Sequence, residues 1–269
     1  MKKLLVVKFG GSVLKDGCSF RASAQAVKSE IDKGNEVVVV VSAIKGDTDE
    51  LIDLAKSIDG DASREFLDTI VGLGEERSVK IFTSTLRSLG VRCVEVLPGS
   101  ETWPIITDGE HGDAEPLLDI CREKSKSIRS LIGEGVVPVV CGFVGRTLKG
   151  TYTTLGRGGS DTSAAVLANC LEADELVLVK DVDYVYTKDP KCFADAEPLK
   201  NLTADEANLL ALNGGKVLHH KIFKYGREGL DIRIIPEGGN LSEGGTVIVG
   251  SLCLDPMSTQ LTRVSQWKS

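Results

Sequence analysis

The stretch EVVVVVSA, residues 36–43, decides the fold. Five consecutive valines place β-branched apolar side chains on both faces of an extended chain. A strand buried on both faces belongs to a parallel sheet covered by helices on either side. Similar runs recur at LLVVKF (4–9), VRCVEVL (91–97), VVPVVCGF (136–143) and ELVLVKDV (175–182), followed by DIRII and GTVIVG. Between the first five lie helical patterns at 20–34, 48–58, 62–90, 115–134 and 160–172, with a break expected near Gly72 to Gly74. Strands and helices alternate, so the expected fold class is α/β: a three-layer α/β/α sandwich with a central, mainly parallel sheet. Ligands of such sheets sit at the carboxyl ends of the strands.

Composition narrows the chemistry further. A chain of 269 residues is long enough to bury a substantial core, and no repeat, low-complexity tract or Pro/Ser linker divides it. A net charge of -7 gives no general attraction to nucleic acid or anionic lipid, which argues against a polymer or membrane partner. The opening MKKLLVVKFGGS is interrupted by Lys8 and glycines too soon for a signal peptide or membrane span, so a cytoplasmic location is expected. Seven cysteines form no CxxC pair and mostly lie among apolar neighbours, which predicts buried reduced thiols. With only three histidines, no histidine-built metal site is expected, and no protein metal ligand is assigned.

Three stretches carry the chemistry. Lys8-Phe9-Gly10-Gly11-Ser12 ends the first strand: the glycines either turn the chain or open its N–H groups to a phosphate, beside which Lys8 can place its ammonium. Lys8 also lies in an otherwise apolar strand, where a cation needs a partner. TTLGRGGSDTSAAVLA, residues 153–168, leads through three glycines into an apolar helix whose free N–H groups face the loop and favour an anion. It matches neither the P-loop pattern nor the dinucleotide fingerprint, having GxGxxD where the latter wants a third glycine. Asp161 there either caps the helix or accepts from an ammonium, while Arg157 suits a bidentate grip on a carboxylate or phosphate. VKDVDYVYTKDPK, residues 179–191, offers Lys180, Asp181, Tyr186 and Lys191 in what is either a nucleotide-wrapping segment or an ordinary charged surface loop.

Together with VVVVVSAIKGDTDELIDLA, GLGEERSVKIF, IITDGEHGDAEP and NGGKVLHHK, these stretches, in this order and spacing up to about Gly250, give a chain that resembles the catalytic domain of the aspartokinases, in the amino acid kinase superfamily. The resemblance implies ATP-dependent phosphorylation of the side-chain carboxylate of L-aspartate, with ATP and Mg2+ required, as the entry to lysine, threonine and methionine synthesis. The fold also serves other small acids and phosphate acceptors, and a non-catalytic nucleotide-binding paralogue is the third reading. Lys8, Asp161 and Lys216 match catalytic positions. Ser42, Thr48, Glu75, Arg157 and Asp161 match residues that hold the amino acid, Glu75 and Asp161 by its ammonium and Arg157 by its carboxylate. Lys8, Gly10, Gly11, Ser12, Lys180, Asp181, Tyr186, Lys191 and Lys216 match the nucleotide side. The family's KFGGTS, DVDG and VLHP read here as KFGGSV, DVDY and VLHH.

The resemblance further implies one kinase domain over 1–250, with an acceptor-binding half at about 1–145, a nucleotide-binding half at 146–250, and a joint within about 142–154. The remaining 251–269 is expected to be a tail too short for ACT domains, so feedback control, if any, is expected from a separate ACT-containing chain. A homodimer through the acceptor-binding half is expected as well.

Overall fold

Val37 to Val41 are all buried, alternate residues facing opposite sides of the sheet, so both faces of this strand are covered. In the computed structural model, which describes residues 2–213 and 217–250, the elements follow in this order. They are β1 (Leu4–Phe9), α1 (Gly17–Asp32), β2 (Glu36–Val41), α2 (Asp47–Ile58), α3 (Arg64–Ser88), β3 (Cys93–Val96), β4 (Ile106–Thr107), α4 (Leu118–Lys124), α5 (Lys126–Gly133), β5 (Val137–Cys141), β6 (Val144–Thr147), β7 (Tyr152–Thr154), α6 (Gly159–Cys170), β8 (Glu175–Lys180), β9 (Val185–Tyr186), β10 (Pro198–Leu199), β11 (Asn201–Thr203), α7 (Ala204–Leu212), α8 (Lys221–Tyr225), β12 (Asp231–Pro236) and β13 (Thr246–Val249).

The main sheet among the described residues runs β11-β13-β12-β8-β1-β2-β5-β3. β12, β8, β1, β2, β5 and β3 are mutually parallel, and β13 turns antiparallel to β12. Helices α1 and α3 pack together, α6 packs on α4 and α8, and both groups reach the central strands. The expected α/β class and mainly parallel sheet are thus present. The rings of Phe9, Phe20 and Phe82 meet at centroid distances of 5.2 and 6.1 Å where β1, α1 and α3 converge. Local chemistry starts the helices: Asp16 and Ser19 form a reciprocal capping box on α1, and Thr203 with Glu206 does so on α7.

Three expectations need correction, on α3, on 115–134 and on the cysteines. α3 runs unbroken for 25 residues through Gly72 to Gly74. A helical glycine weakens a helix by about 1 kcal/mol without breaking it, and these serve close packing. A Cβ at 72 would lie 3.1 Å from the Tyr152 ring, and one at 74 would lie 3.3 Å from the Ala43 Cβ. The stretch 115–134 forms two helices rather than one. Pro116 is bridged to Thr107, which delays the start to Leu118, and Ser125 separates the two helices. Residues 144–154 form the antiparallel pair β6–β7, whose polar YTT lacks the apolar run that marks a core strand. Finally, the six described cysteines are free, yet Cys18 and Cys192 are exposed; only Cys121 and Cys141 are fully buried. No helix among the described residues is long and apolar enough to cross a membrane.

Candidate active site

Strand register builds the site. Phe9 pairs with Val41 and Val179, and Val41 pairs with Cys141, so Gly10, Ser42, Gly142 and Lys180 leave the sheet side by side at its carboxyl edge. The start of α6 closes on this edge: a Cβ at Gly142 would come 2.7 Å from the Cβ of Ser160. The crevice at the ends of parallel strands is therefore formed by β1, β2, β5, β8 and one helix N-terminus.

Lys8 is buried at 6% exposure, the penultimate residue of β1. Its Nζ lies 2.7 Å from Asp161 Oδ1, and Lys180 Nζ lies 2.5 Å from Asp161 Oδ2. Burial alone would raise the Asp161 carboxyl, but Lys180 and Lys8 outweigh it and hold the group well below the usual carboxylate range. Burial depresses the Lys8 ammonium, opposed by Asp161 and reinforced by Lys180. Asp161 does not cap α6. The cap position is Gly158, left-handed at φ 73°, with no side-chain cap; the Gly159 N–H donates to the Gly156 carbonyl at 2.9 Å, which leaves those of Ser160 and Asp161 toward the loop.

Glu75 comes from α3, buried at 3%. Burial pushes its carboxyl up to about 8, with the Ala43 N–H and the charge of Lys8 opposing part of the shift. Its Oε2 has no hydrogen-bond partner. Ser42 is buried and its N–H donates to the Phe9 carbonyl at 3.0 Å, while Thr48 lies half-buried in the first turn of α2. Gly10 opens a turn in which its carbonyl accepts from the N–H groups of Val13 and Leu14; a Cβ there would sit 3.1 Å from Lys8 Nζ. Gly11 approaches the Ala43 carbonyl too closely for any side chain, and Ser12 is half-buried beside it.

Sequence-identified residues thus divide. Register places Lys8, Gly10, Ser42 and Lys180 along one edge, and the ion pairs join Asp161 to it; Glu75 lies close enough to feel the Lys8 charge. Arg157 sits exposed on the loop between β7 and α6, with no ion-pair partner among the described residues. Asp181 and Lys191 face solvent, and Tyr186 donates to Asp183 Oδ1 at 3.0 Å. Lys216 lies outside the described residues. Among the described residues no cluster of three or more His, Cys, Asp or Glu could hold a metal ion.

The reading of the sequence missed a second set beside the Arg157 loop. Asp68 of α3 accepts from Thr154 Oγ1 at 2.6 Å and from the Gly112 N–H at 3.1 Å, and lies 2.9 Å from His111 Nδ1. Lys221 Nζ donates to Asp113 Oδ1 at 2.5 Å and to the Leu155 carbonyl at 2.9 Å. His219 packs over Gly158 and feels the charges of Asp161 and Arg157. These residues fall inside TDGEHGD and VLHHK, but nothing in either spacing indicates that the two meet.

Comparison with known proteins identifies the family. The model of the amino acid kinase family matches residues 3–236. The chain is 39% identical over 233 residues to an aspartate kinase of Pseudomonas putida, covering 86% of this chain and 55% of that protein. It is 36% identical over 249 residues to an aspartokinase of Geobacillus stearothermophilus, covering 91% and 58% respectively. The chain therefore spans little more than half the length of these relatives. The crystal structure of E. coli aspartokinase III in complex with aspartate and ADP superposes with a TM-score of 0.82 at 26% identity, covering 93% of this chain and 65% of that one. With a match spanning most of its length and relatives of this closeness, the chain belongs to the amino acid kinase family.

Proposed function

We propose that the chain is the catalytic unit of an aspartate kinase, transferring the γ-phosphoryl group of ATP to the side-chain carboxylate of L-aspartate. The observation that carries the reading is the buried Lys8–Asp161–Lys180 cluster at the carboxyl edge of the sheet, beside an uncapped helix N-terminus and the Arg157 loop. Support comes from relatives named aspartate kinase and from a similar fold crystallised with aspartate and ADP.

The reaction brings two anions together, and the acceptor oxygen is ionised at neutral pH, so the site needs alignment and charge neutralisation rather than a strong base. Lys8 supplies positive charge for the phosphoryl group, Gly10, Gly11 and Ser12 leave space for phosphate oxygens, and Asp161 fixes Lys8 and Lys180 in place. Gly10 fits that role because a Cβ would crowd the Lys8 ammonium. Arg157 grips the acceptor's α-carboxylate, Glu75 takes its ammonium, and Ser42 and Thr48 line the same side. Asp181, Tyr186 and Lys191 border the nucleotide, and Lys216 reaches its phosphates. Mg2+, brought in with the nucleotide, would neutralise phosphate charge.

The same reading places acceptor binding in 1–145 and nucleotide binding in 146–250, in a cytoplasmic homodimer. Exposed Leu54 and Ile58 on α2 and Phe66 and Leu73 on α3 support an interface on the acceptor side. A hydroxylamine trap for acylphosphate, run with ATP across aspartate, glutamate, N-acetylglutamate and carbamate, tests the acceptor. Hydroxamate from aspartate is expected. Hydroxamate from another acid alone assigns a different acceptor, and none from any points to a phosphate acceptor or a binding protein.

A further inference from the structure

Arg157 stands on a loop held from both sides by one turn of chain. On its N-terminal side, the Leu155 carbonyl accepts from Lys221 Nζ at 2.9 Å. Gly156, left-handed at φ 69°, passes Asp113 with no room for a Cβ. On its C-terminal side, Gly158 lies under His219, where a Cβ would come 2.6 Å from the His219 Cβ. Lys221 itself is 6% exposed, and its ammonium reaches three acceptors: Leu155, Asp113 Oδ1 at 2.5 Å, and Glu115 Oε1 at 3.9 Å. Asp113 and Glu115 belong to the segment that Asp68 ties to α3 through Gly112 and His111. Arg157, by contrast, is exposed and has no ion-pair partner among the described residues to fix it.

We infer that Lys221 is a positioning residue for the acceptor site: it latches the 155–158 loop to the 113–115 segment and thereby sets where Arg157 meets the acceptor carboxylate. The inference rests on the reading of Arg157 as the carboxylate grip. A buried ammonium serving only as packing would affect folding and turnover without distinguishing the two substrates. A latch acts on one side of the reaction, because a small misplacement of a gripping guanidinium weakens that substrate selectively.

Lys221→Met and Lys221→Arg, with Asp113→Asn as a second variant at an exposed partner, provide the test. Lys221→Met is expected to raise KM for aspartate about 10-fold while KM for ATP stays within about 2-fold. Lys221→Arg should recover most of the loss, and Lys221→Met should add nothing to the aspartate KM of Arg157→Ala. Independently of any substrate, amide hydrogen exchange in a peptide spanning residues 153–160 should be faster in Lys221→Met and Asp113→Asn than in the wild type. Equal rises in both KM values, additive effects with Arg157→Ala, or unchanged exchange in that peptide would each overturn the latch. If the wild type makes no hydroxamate from aspartate, it is the acceptor reading that fails, and the exchange experiment still decides the latch.

Discussion

At the scale of single residues, the site depends on two carboxyl groups driven in opposite directions. Glu75, pushed up to about 8 by burial, is mostly protonated at neutral pH in the free protein, yet only its carboxylate pairs well with an ammonium. KM for aspartate should therefore fall as pH rises from 6 toward 8, by up to about tenfold per unit, and level off above. Steady-state kinetics on Glu75→Gln should show a weaker but flat dependence, and a pH-independent wild type would contradict the assignment. Asp161 is the converse case. Its depressed value contributes stability that is present above the unfolded carboxyl value of 3.8 and lost as pH falls below it. Asp161→Asn leaves two largely buried ammoniums without a counter-charge and should lower stability in urea at pH 7 by about 3–5 kcal/mol, with less further loss on acidification than the wild type shows. Lys8 in an apolar strand announced in the sequence that it needed a partner; that the partner is Asp161 was not legible there, because spacing along the chain carries no information about which strand end meets which helix. Lys180 was legible as a charge but not as the second cation on Asp161.

At the scale of elements, continuous valine and isoleucine runs made the central strands readable, since burial on both faces leaves no alternation to obscure them. Glycine was harder to read. The same residue that ends or breaks a helix also admits a neighbour, and Gly72 and Gly74 do the second within α3. The short β6–β7 hairpin and the pairing of loop 108–115 with α8 depend on tertiary contacts that no local pattern encodes. In α6 the glycines serve approach as well: a Cβ at Gly159 would lie 2.5 Å from Phe143 Cδ2, with the Phe143 backbone 3.3 Å away. Gly159→Ala, which would favour an isolated helix, should instead lower stability by about 1–3 kcal/mol in a denaturant titration. A gain in stability would show that α6 does not press on the Phe143 turn.

At the scale of the whole molecule, the parallel sheet ends four strands together, so that backbone turns, two lysines and a helix N-terminus converge where the proposed reaction would bring two mutually repelling substrates together. Lys8 lies inside this convergence and Arg157 at its rim, so their losses should separate kinetically. Steady-state kinetics of Lys8→Ala and Arg157→Ala, with aspartate and ATP each varied, is the most direct measurement. Lys8→Ala should lower kcat by about 100-fold or more with KM for aspartate little changed, and Arg157→Ala should raise KM for aspartate by about 10-fold or more with kcat much less affected. The reverse pattern, or equal losses in both variants on both parameters, would contradict the claim that a shared cationic edge neutralises one substrate while its rim holds the other.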